Sequence, residues 1–347
     1  MAGRTTLRDV AKRAGVSVAS VSMALRGCGT VSTARSEEIR KLAESMGYRP
    51  NPLLSSLASK KFRTGKTIRG TPIAILNFPA SAFGVAPSAS IPDLYIRDLL
   101  REARRLGYAP EVFDYPFGCG LSQLERVLHH RMVQGILLHG SVDQNGMMDD
   151  FNWSPYPVVQ CARFHISPQF HTVRSNIFQS VKLAFEKVLA LGYRRIGLAV
   201  ARHDTPLEDD QARHGAAVAV PAAYLPPRRR LPVFLGSIND RQSFKDWVKK
   251  NKPDAVIGFS PRLYWVLLEM GFSIPGDIGF ASLHVPPKPE EPISGLLQNN
   301  EVIARQSVIL LDQLVRERQR GIPELPMHLL IPSTWVDAET LRPQHGG

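Results

Sequence analysis

The stretch Thr5–Leu25, TTLRDVAKRAGVSVASVSMAL, constrains this chain more than any other. Leu7, Val10, Ala11 and Ala14 recur at helical spacing, and Thr6 with Asp9 three positions later can form a capping box. A first helix is therefore expected over about Leu7–Ala14. Gly15 can take the left-handed conformation that ends it, Val16 can turn inward, and Ser17 can cap a second helix running through Leu25. If Val21, Ala24 and Leu25 pack on Val10, Ala11 and Ala14, the free face of the second helix carries Ser17, Val18, Ala19, Ser22 and Met23. A third helix follows, entered at Val31 and Ser32, with Ile39, Leu42, Ala43 and Met46 as its apolar stripe and Gly47 as its stop. Three such helices close one small core. Two of them joined by a glycine turn have the layout of a helix-turn-helix, whose second helix enters the DNA major groove N-terminal end first.

Charge follows the same boundary. Residues 1–70 hold fourteen Lys and Arg against four Asp and Glu, so +10 of the chain's formal +12 sits in its first fifth. A basic head on a nearly neutral body points to a polyanionic partner for the head. The start has no apolar run after its basic residues, and no stretch approaches membrane-spanning length, so a cytoplasmic protein without membrane contact is expected. Cys28, Cys119 and Cys161 are few, scattered and odd in number. Neither a disulfide framework nor a metal site is expected from them.

The pattern T-L-x-D-V-A-x-x-A-G-V-S-x-x-S-V-S from Thr6, then V-S at Val31, G-Y-R-P-N-P at Gly47 and L-A at Leu57, resembles the LacI family of bacterial transcription regulators. The resemblance implies a DNA-binding set of Thr6, Ser17, Val18, Ala19, Ser20, Ser22, Met23, Arg26, Tyr48, Asn51, Leu57 and Ala58. The family usually has arginine where this chain has Met23, and polar residues at the positions of Val18 and Ala19. Pro50 and Pro52 bound a short helix, Leu53–Ser59, too short to be stable alone. In the resembled family this is a hinge helix that pairs with its twin and pushes a leucine, here Leu57, into the minor groove. Gly65-Lys66-Thr67 lacks the first glycine and the preceding strand of a phosphate loop and reads as basic linker.

From Pro72 onward, short apolar runs alternate with amphipathic stretches. Strands are expected at Ile73–Phe78, Glu111–Tyr115, Gly135–His139, Val158–Cys161, Arg195–Val200, Val256–Phe259 and Ile278–Ser282. Helices are expected at Asp93–Leu106, Ser122–Met132, Phe178–Leu191, Phe244–Lys250 and Glu301–Arg320. Apolar strands with helices between them mean parallel sheets covered on both faces. A helix-ending junction recurs at Leu106-Gly107-Tyr108, Leu191-Gly192-Tyr193 and Met270-Gly271-Phe272, which fits two similar doubly wound lobes. The expected fold is thus a small all-α helix-turn-helix head plus an α/β core. The core resembles, more weakly than the head, the family's effector-binding core, which is itself of the periplasmic-binding-protein type.

The expected division is a DNA-binding domain over 1–50, a hinge and basic linker over 51–70, and an effector-binding and dimerisation core over 71–347. The resemblance implies three crossings between lobes, placed near Arg163, Leu297 and Pro323, which would give a first lobe of about 71–163 with 297–322 and a second of about 164–296 with 323–347. A ligand would lie between the lobes at the carboxyl ends of strands. Strand ends and the family's pattern nominate Phe78, Ser81, Asn176, Arg213 and His284. Asn176 stands where an aspartate is usual, and the usual G-F-D-D reads Gly279-Phe280-Ala281-Ser282, so the carboxylates of a sugar site are depleted.

No H-E-x-x-H, G-x-S-x-G or G-x-G-x-x-G occurs, and neither an enzyme nor a cofactor is expected. The expected function is a sequence-specific transcription regulator, a repressor, that binds a pseudo-palindromic duplex operator as a homodimer and answers to a small molecule, sugar-like or otherwise. Two alternatives stand beside it. One is a small-ligand binding module with an incidental basic head, and the other an architectural DNA binder without effector control.

Overall fold

The computed structural model describes residues 7–26, 33–46, 70–78, 91–115, 120–140, 148–161, 168–200, 208–237, 240–286 and 292–343. The chain divides into two compact units, Met1–Ile68 and Arg69–Gly347. In the first, α1 (Leu7–Ala14), α2 (Val18–Arg26) and α3 (Thr33–Ser45) enclose Val10, Ala11, Val21, Ala24, Ile39 and Ala43, with Ala14, Val16, Leu25 and Met46 packed at the margin. The helical spacing of those residues in the sequence is the reason one side of each helix is apolar.

In the second unit the strands are β1 (Thr71–Phe78), β2 (Tyr108–Asp114), β3 (Ile136–Gly140), β4 (Val158–Cys161), β5 (His171–Ser175), β6 (Ile196–Ala199), β7 (Ala255–Gly258), β8 (Gly279–Val285), β9 (Gly295–Leu297), β10 (His328–Ile331) and β11 (Thr334–Val336). Between them lie α4 (Ile91–Arg105), α5 (Leu121–His130), α6 (Ile177–Ala190), α7 (Glu208–Tyr224), α8 (Arg241–Asn251), α9 (Arg262–Glu269) and α10 (Asn300–Glu317). One sheet runs β10-β5-β4-β3-β1-β2, parallel throughout. The other runs β11-β9-β8-β7-β6, parallel except for β11.

Each sheet is buried on both faces, which is why its central strands are continuously apolar. In the first lobe α4 and α10 cover one face, with Ile73, Ile75, Leu99, Leu137, Val159 and Val308 between the layers. The second face carries Leu124 and Leu128 of α5 with the aromatic cluster Phe151, Trp153, Tyr156 and Phe170. In the second lobe α6 and α7 cover one face and α8 and α9 the other. The chain leaves β1 for β2 on one side and returns to β3 on the other, so the connections reverse direction between β1 and β3. Crevices open at such reversals, beyond the carboxyl ends of the strands.

Two expected crossings move. The first is not near Arg163: β5 pairs with β4, so the chain leaves the first sheet only at Asn176. The last is not near Pro323, because β10 pairs with β5 and the crossing falls at Pro332-Ser333. Both displaced strands carry few core side chains and declare themselves through backbone pairing. Between these two, the chain passes from β9 in the second sheet to α10 on the first lobe. The three crossings lie side by side: Asn176 N–H donates to Ile331 O at 2.8 Å, Asn299 Nδ2 donates to Pro332 O at 2.8 Å, and the Ser180 and Ser333 hydroxyls meet at 2.9 Å. The stretch 208–224, with Pro221 inside it and no clear apolar period, is a helix the sequence pattern does not announce. β8 runs past Ser282 to Val285, with a register shift against β9 that Ser282 Oγ holds by donating to His284 O at 2.9 Å.

Candidate DNA-reading face and ligand cleft

In the head, Gly15 has φ +65°, and Val16 N–H reaches back to Ala11 O at 3.2 Å. This is the left-handed helix stop that swings Val16 inward, and it fixes the angle between α1 and α2. Ser17 Oγ then accepts from Ser20 N–H at 3.0 Å, capping α2 where its free N–H groups begin. Val18, the first residue of α2, is 43% exposed, an apolar side chain held outward from the head's core. Ser17 is exposed as well and Ser20 half-buried, while Val21 and Ala24 fill the core. Ala19, Ser22, Met23 and Arg26 belong to α2, but their side chains lie outside the described residues. So do Thr6, Tyr48, Asn51, Leu57, Ala58 and Ser81 altogether.

The head's basic residues divide by role. Arg35 pairs with Glu38 at 2.6 Å and donates to Ala14 O at 3.0 Å; Arg40 pairs with Glu37 at 2.8 Å and donates to Ala24 O at 3.4 Å. These two tie α3 to the carbonyl ends of α1 and α2, where positive charge is favoured. Lys12, Arg13 and Lys41 are exposed.

In the core, Arg213 lies near the start of α7 and is only 3% exposed. Its Nη1 meets Asp210 Oδ1 at 2.7 Å and its guanidinium lies 4.0 Å from the ring centroid of Phe259, just beyond β7. Next to it, Asp209 faces Arg174 of β5 at 3.6 Å, an ion pair between the lobes. Arg174 is two residues before Asn176, which caps α6 by accepting from Gln179 N–H at 3.0 Å. Asn176 and Arg213 therefore belong to neighbouring helices of the second lobe, α6 and α7, beside the Arg174–Asp209 pair. Phe78 is fully buried and stacks on Tyr115 at 5.7 Å. His284 lies within β8, not after it.

One polar chain, leading from exposed Asp114 through Asn77 to buried His139, went unnoticed in the sequence. Asn77 Nδ2 donates to Asp114 Oδ1 at 2.6 Å, and His139 Nδ1 lies 2.9 Å from Asn77 Oδ1. The amide oxygen can only accept, so Nδ1 carries the proton and Nε2 is the basic nitrogen. The His139 ring also stacks on Tyr95 at 4.7 Å. Its only advance signal was a histidine ending an apolar strand at the β1–β3 reversal. Burial pushes the His139 pKa down to about 3. The unfolded chain titrates near 6.5, so between about pH 6.5 and pH 3 it takes up a proton that the native state refuses. This contribution to stability is fully present above about pH 6.5 and declines as pH falls, by about 2 kcal/mol at pH 5. Urea midpoints at pH 7 and pH 5 should therefore differ more for the wild type than for His139→Gln. Equal differences would show that His139 is not held neutral.

Among the described residues no group of three or more His, Cys, Asp or Glu side chains is placed to hold a metal ion, and no helix is long and apolar enough to cross a membrane. Residues 6–51 match the family model "Bacterial regulatory proteins, lacI family". The match covers the helix-turn-helix head, which is therefore of the lacI type. Similarity to curated regulators is uneven along the chain. Over 60 residues it is 47% identical to the HTH-type transcriptional regulator AscG of Escherichia coli (strain K12), covering 17% of this chain and 18% of that one. Over 223 residues it is 25% identical to catabolite control protein A of Priestia megaterium, covering 64% and 63%. The chain thus spans less than two thirds of the length of either relative. The crystal structure of the lac repressor dimer bound to operator and the anti-inducer ONPF superposes with a TM-score of 0.56 at 16% identity, covering 97% of this chain and 99% of that one. At that identity the likeness speaks for the fold alone.

Proposed function

We propose that the chain is a sequence-specific transcription regulator, a repressor, in which two heads of a homodimer read the halves of a pseudo-palindromic operator. The observation that carries this reading is α2: a capped helix on a compact basic head, packed by Val21 and Ala24 and holding Val18 outward at its N-terminal end. A solvated structural helix has no reason to expose valine at that position. The regulators named among its relatives support the reading. Leu57 would act as the apolar wedge at the operator centre, with Tyr48, Asn51 and Ala58 beside it and Thr6 and Arg26 at the phosphates.

Selection of bound sequences from a random duplex pool tests it. Val18, Ala19 and Met23 cannot donate hydrogen bonds, so the selected half-site should show thymine methyl and groove-shape preferences more than guanine contacts. Met23→Arg should add a guanine preference at one position per half-site, worth about 1–3 kcal/mol. Identical selected sites for the two proteins would remove Met23 from the groove, and recovery of no shared motif would overturn the sequence-specific reading.

For the core we propose a small polar ligand, of the sugar class, held by Arg213, Asn176 and His284 near the Arg174–Asp209 pair that joins the lobes. A guanidinium laid on an aromatic ring suits a hydroxyl-rich molecule with an apolar face. A ligand bound only by the folded state raises its stability, so a thermal-shift screen of the full chain against neutral sugars checks this. No response from any sugar, with a shift from another class, would reassign the ligand.

A further inference from the structure

The second lobe gathers positive charge at one end. A helix that leads by a short turn into a strand of a parallel sheet runs back against it, so the helix's carboxyl end lies at the amino end of the strand. α6 leads in this way into β6 and α8 into β7, two parallel neighbours, and both helices therefore finish at the amino end of the second sheet. α7 finishes there as well, because the chain after it follows the edge of that sheet from the same end. Trp247 of α8 donates its Nε1–H to Pro232 O at 2.9 Å, and Phe234 pairs in parallel with Ala199 of β6.

Lysine and arginine collect where these ends meet. The segments 186–195, 226–230 and 246–254 hold nine Lys and Arg against three Asp and Glu, a surplus of six in a core, residues 71–347, whose whole surplus is two. A cation at a helix carboxyl end is explained by the carbonyls and the dipole there, at about one per helix. Arg195 serves α8 in this way, donating through Nε to Lys252 O at 2.9 Å, and Arg230 serves α7, donating to Leu225 O at 2.7 Å and Ala222 O at 3.1 Å. Asp254 is engaged with the N–H groups of Arg194 and Arg195, at 2.7 and 2.9 Å. Arg228, Lys249, Lys250 and Lys252 are exposed, and among the described residues none of them joins an ion pair. Like charges gathered on one surface repel one another, which helix capping gives no reason to accept.

We propose that this end of the second lobe binds the phosphate backbone of duplex DNA, independently of the head and without reading sequence. The composition of the face selects the partner. Protein interfaces are built on buried aromatic and apolar anchors and are poor in lysine, and peripheral membrane binding needs an apolar side to insert. Among the described residues, no large apolar side chain within these three segments is exposed. A phosphate backbone requires only spaced cations, since its binding comes from the release of counterions.

The test uses the full chain with the photoreactive residue p-benzoylphenylalanine in place of Arg228 or of Lys250, and separately in place of Arg8 in the head. Irradiated with a labelled duplex of random sequence in 50 mM salt, the chains modified at 228 and 250 should form DNA adducts. One modified at Gln242, an exposed residue at the opposite end of α8, should not. From 50 to 200 mM salt the adduct from 228 should fall by more than tenfold, since four phosphate contacts cost about a hundredfold in affinity over that range. Lys249→Glu with Lys250→Glu and Lys252→Glu should abolish it. Circular dichroism melts confirm folding, and glutamine at the same three positions serves if the glutamate chain misfolds. No adduct from 228 or 250, or an equal yield from 242, would overturn the proposal, and so would a face that is protected by polyglutamate or by anionic vesicles but not by duplex DNA. Adducts from 228 and 250 with none from position 8 would count against the regulator reading and leave this face standing.

Discussion

Raising salt from 50 to 200 mM should weaken binding of the full chain to duplex DNA by several powers of ten. The head carries fourteen basic side chains within its first 70 residues. Two of them, Arg35 and Arg40, are engaged with Glu38, Glu37 and helix-end carbonyls, and these should contribute least. The remainder, among them Arg4, Arg8, Lys12, Arg26, Arg49, Lys60 and Lys61, exceed what six to ten phosphate contacts would need, and that number of contacts costs about 10³–10⁵ in affinity over this salt range. Fluorescence anisotropy at four salt concentrations gives the slope directly. Replacing Lys60 and Lys61 by alanine should flatten it by about one unit per phosphate lost while leaving the selected sequence alone. A slope near zero would mean that the basic head does not meet the DNA backbone, and the proposed function would fall with it.

The head was legible because each of its signals is local. A glycine that must be left-handed, a serine that must cap and a 3.6-residue apolar period all lie within twenty residues, and Gly15, Ser17 and Val21 perform those tasks. The central strands of the core were legible for a similar reason: β1, β3, β4, β6 and β7 are runs of consecutive buried residues. β5 and β10 were not. His171-Thr172-Val173-Arg174-Ser175 has a single apolar residue, Val173, and Thr172 is satisfied by Gln160 Oε1 at 2.9 Å, a partner twelve residues away that no pattern exposes. β10 buries only Ile331. Because strand membership there depends on pairing, the first and last crossings expected from the family resemblance fell ten or so residues short of the observed ones.

The cleft shows the same division. Arg213 could be nominated only through the family resemblance, and its company of Asp210 and Phe259 follows from α7 lying against the end of β7. The Arg174–Asp209 pair joins residues 35 positions apart and the His139–Asn77 contact residues 62 apart, separations at which sequence spacing says nothing. Asn176 looked like a degraded ligand carboxylate; in place it caps α6 and fixes the first crossing through its backbone. A short side chain that caps a helix satisfies that position without a charge, which is a physical reason for asparagine to stand there.

Replacing Gly140 by alanine should be among the most destabilising single changes available to the core. Gly140 ends β3 opposite Phe78 of β1, with φ +109°, and a Cβ built on it would lie 2.0 Å from Phe78 O. An L-residue is strained at that φ, by about 1–2 kcal/mol, and the carbonyl it would strike belongs to the adjoining strand. Relief requires β1 and β3 to part at the point where the connections reverse, among side chains that are wholly buried. A total loss of about 4 kcal/mol or more is expected, the range reserved for forced backbone movement within a packed interior. Gly15→Ala is the control. Gly15 also has positive φ, but nothing lies within 4 Å of its Cβ position, so only the conformational term, about 1–2 kcal/mol, should appear, and in the head alone. The four tryptophans, at 153, 247, 265 and 335, all lie in the second unit, so urea unfolding followed by tryptophan fluorescence reads the core without the head. Gly140→Ala should shift that transition far to lower urea, whereas Gly15→Ala should leave it in place and weaken DNA binding instead. Similar small shifts from both would show that β3 can move away from β1 at little cost. The carboxyl ends of these two strands would then be a soft wall instead of a rigid one.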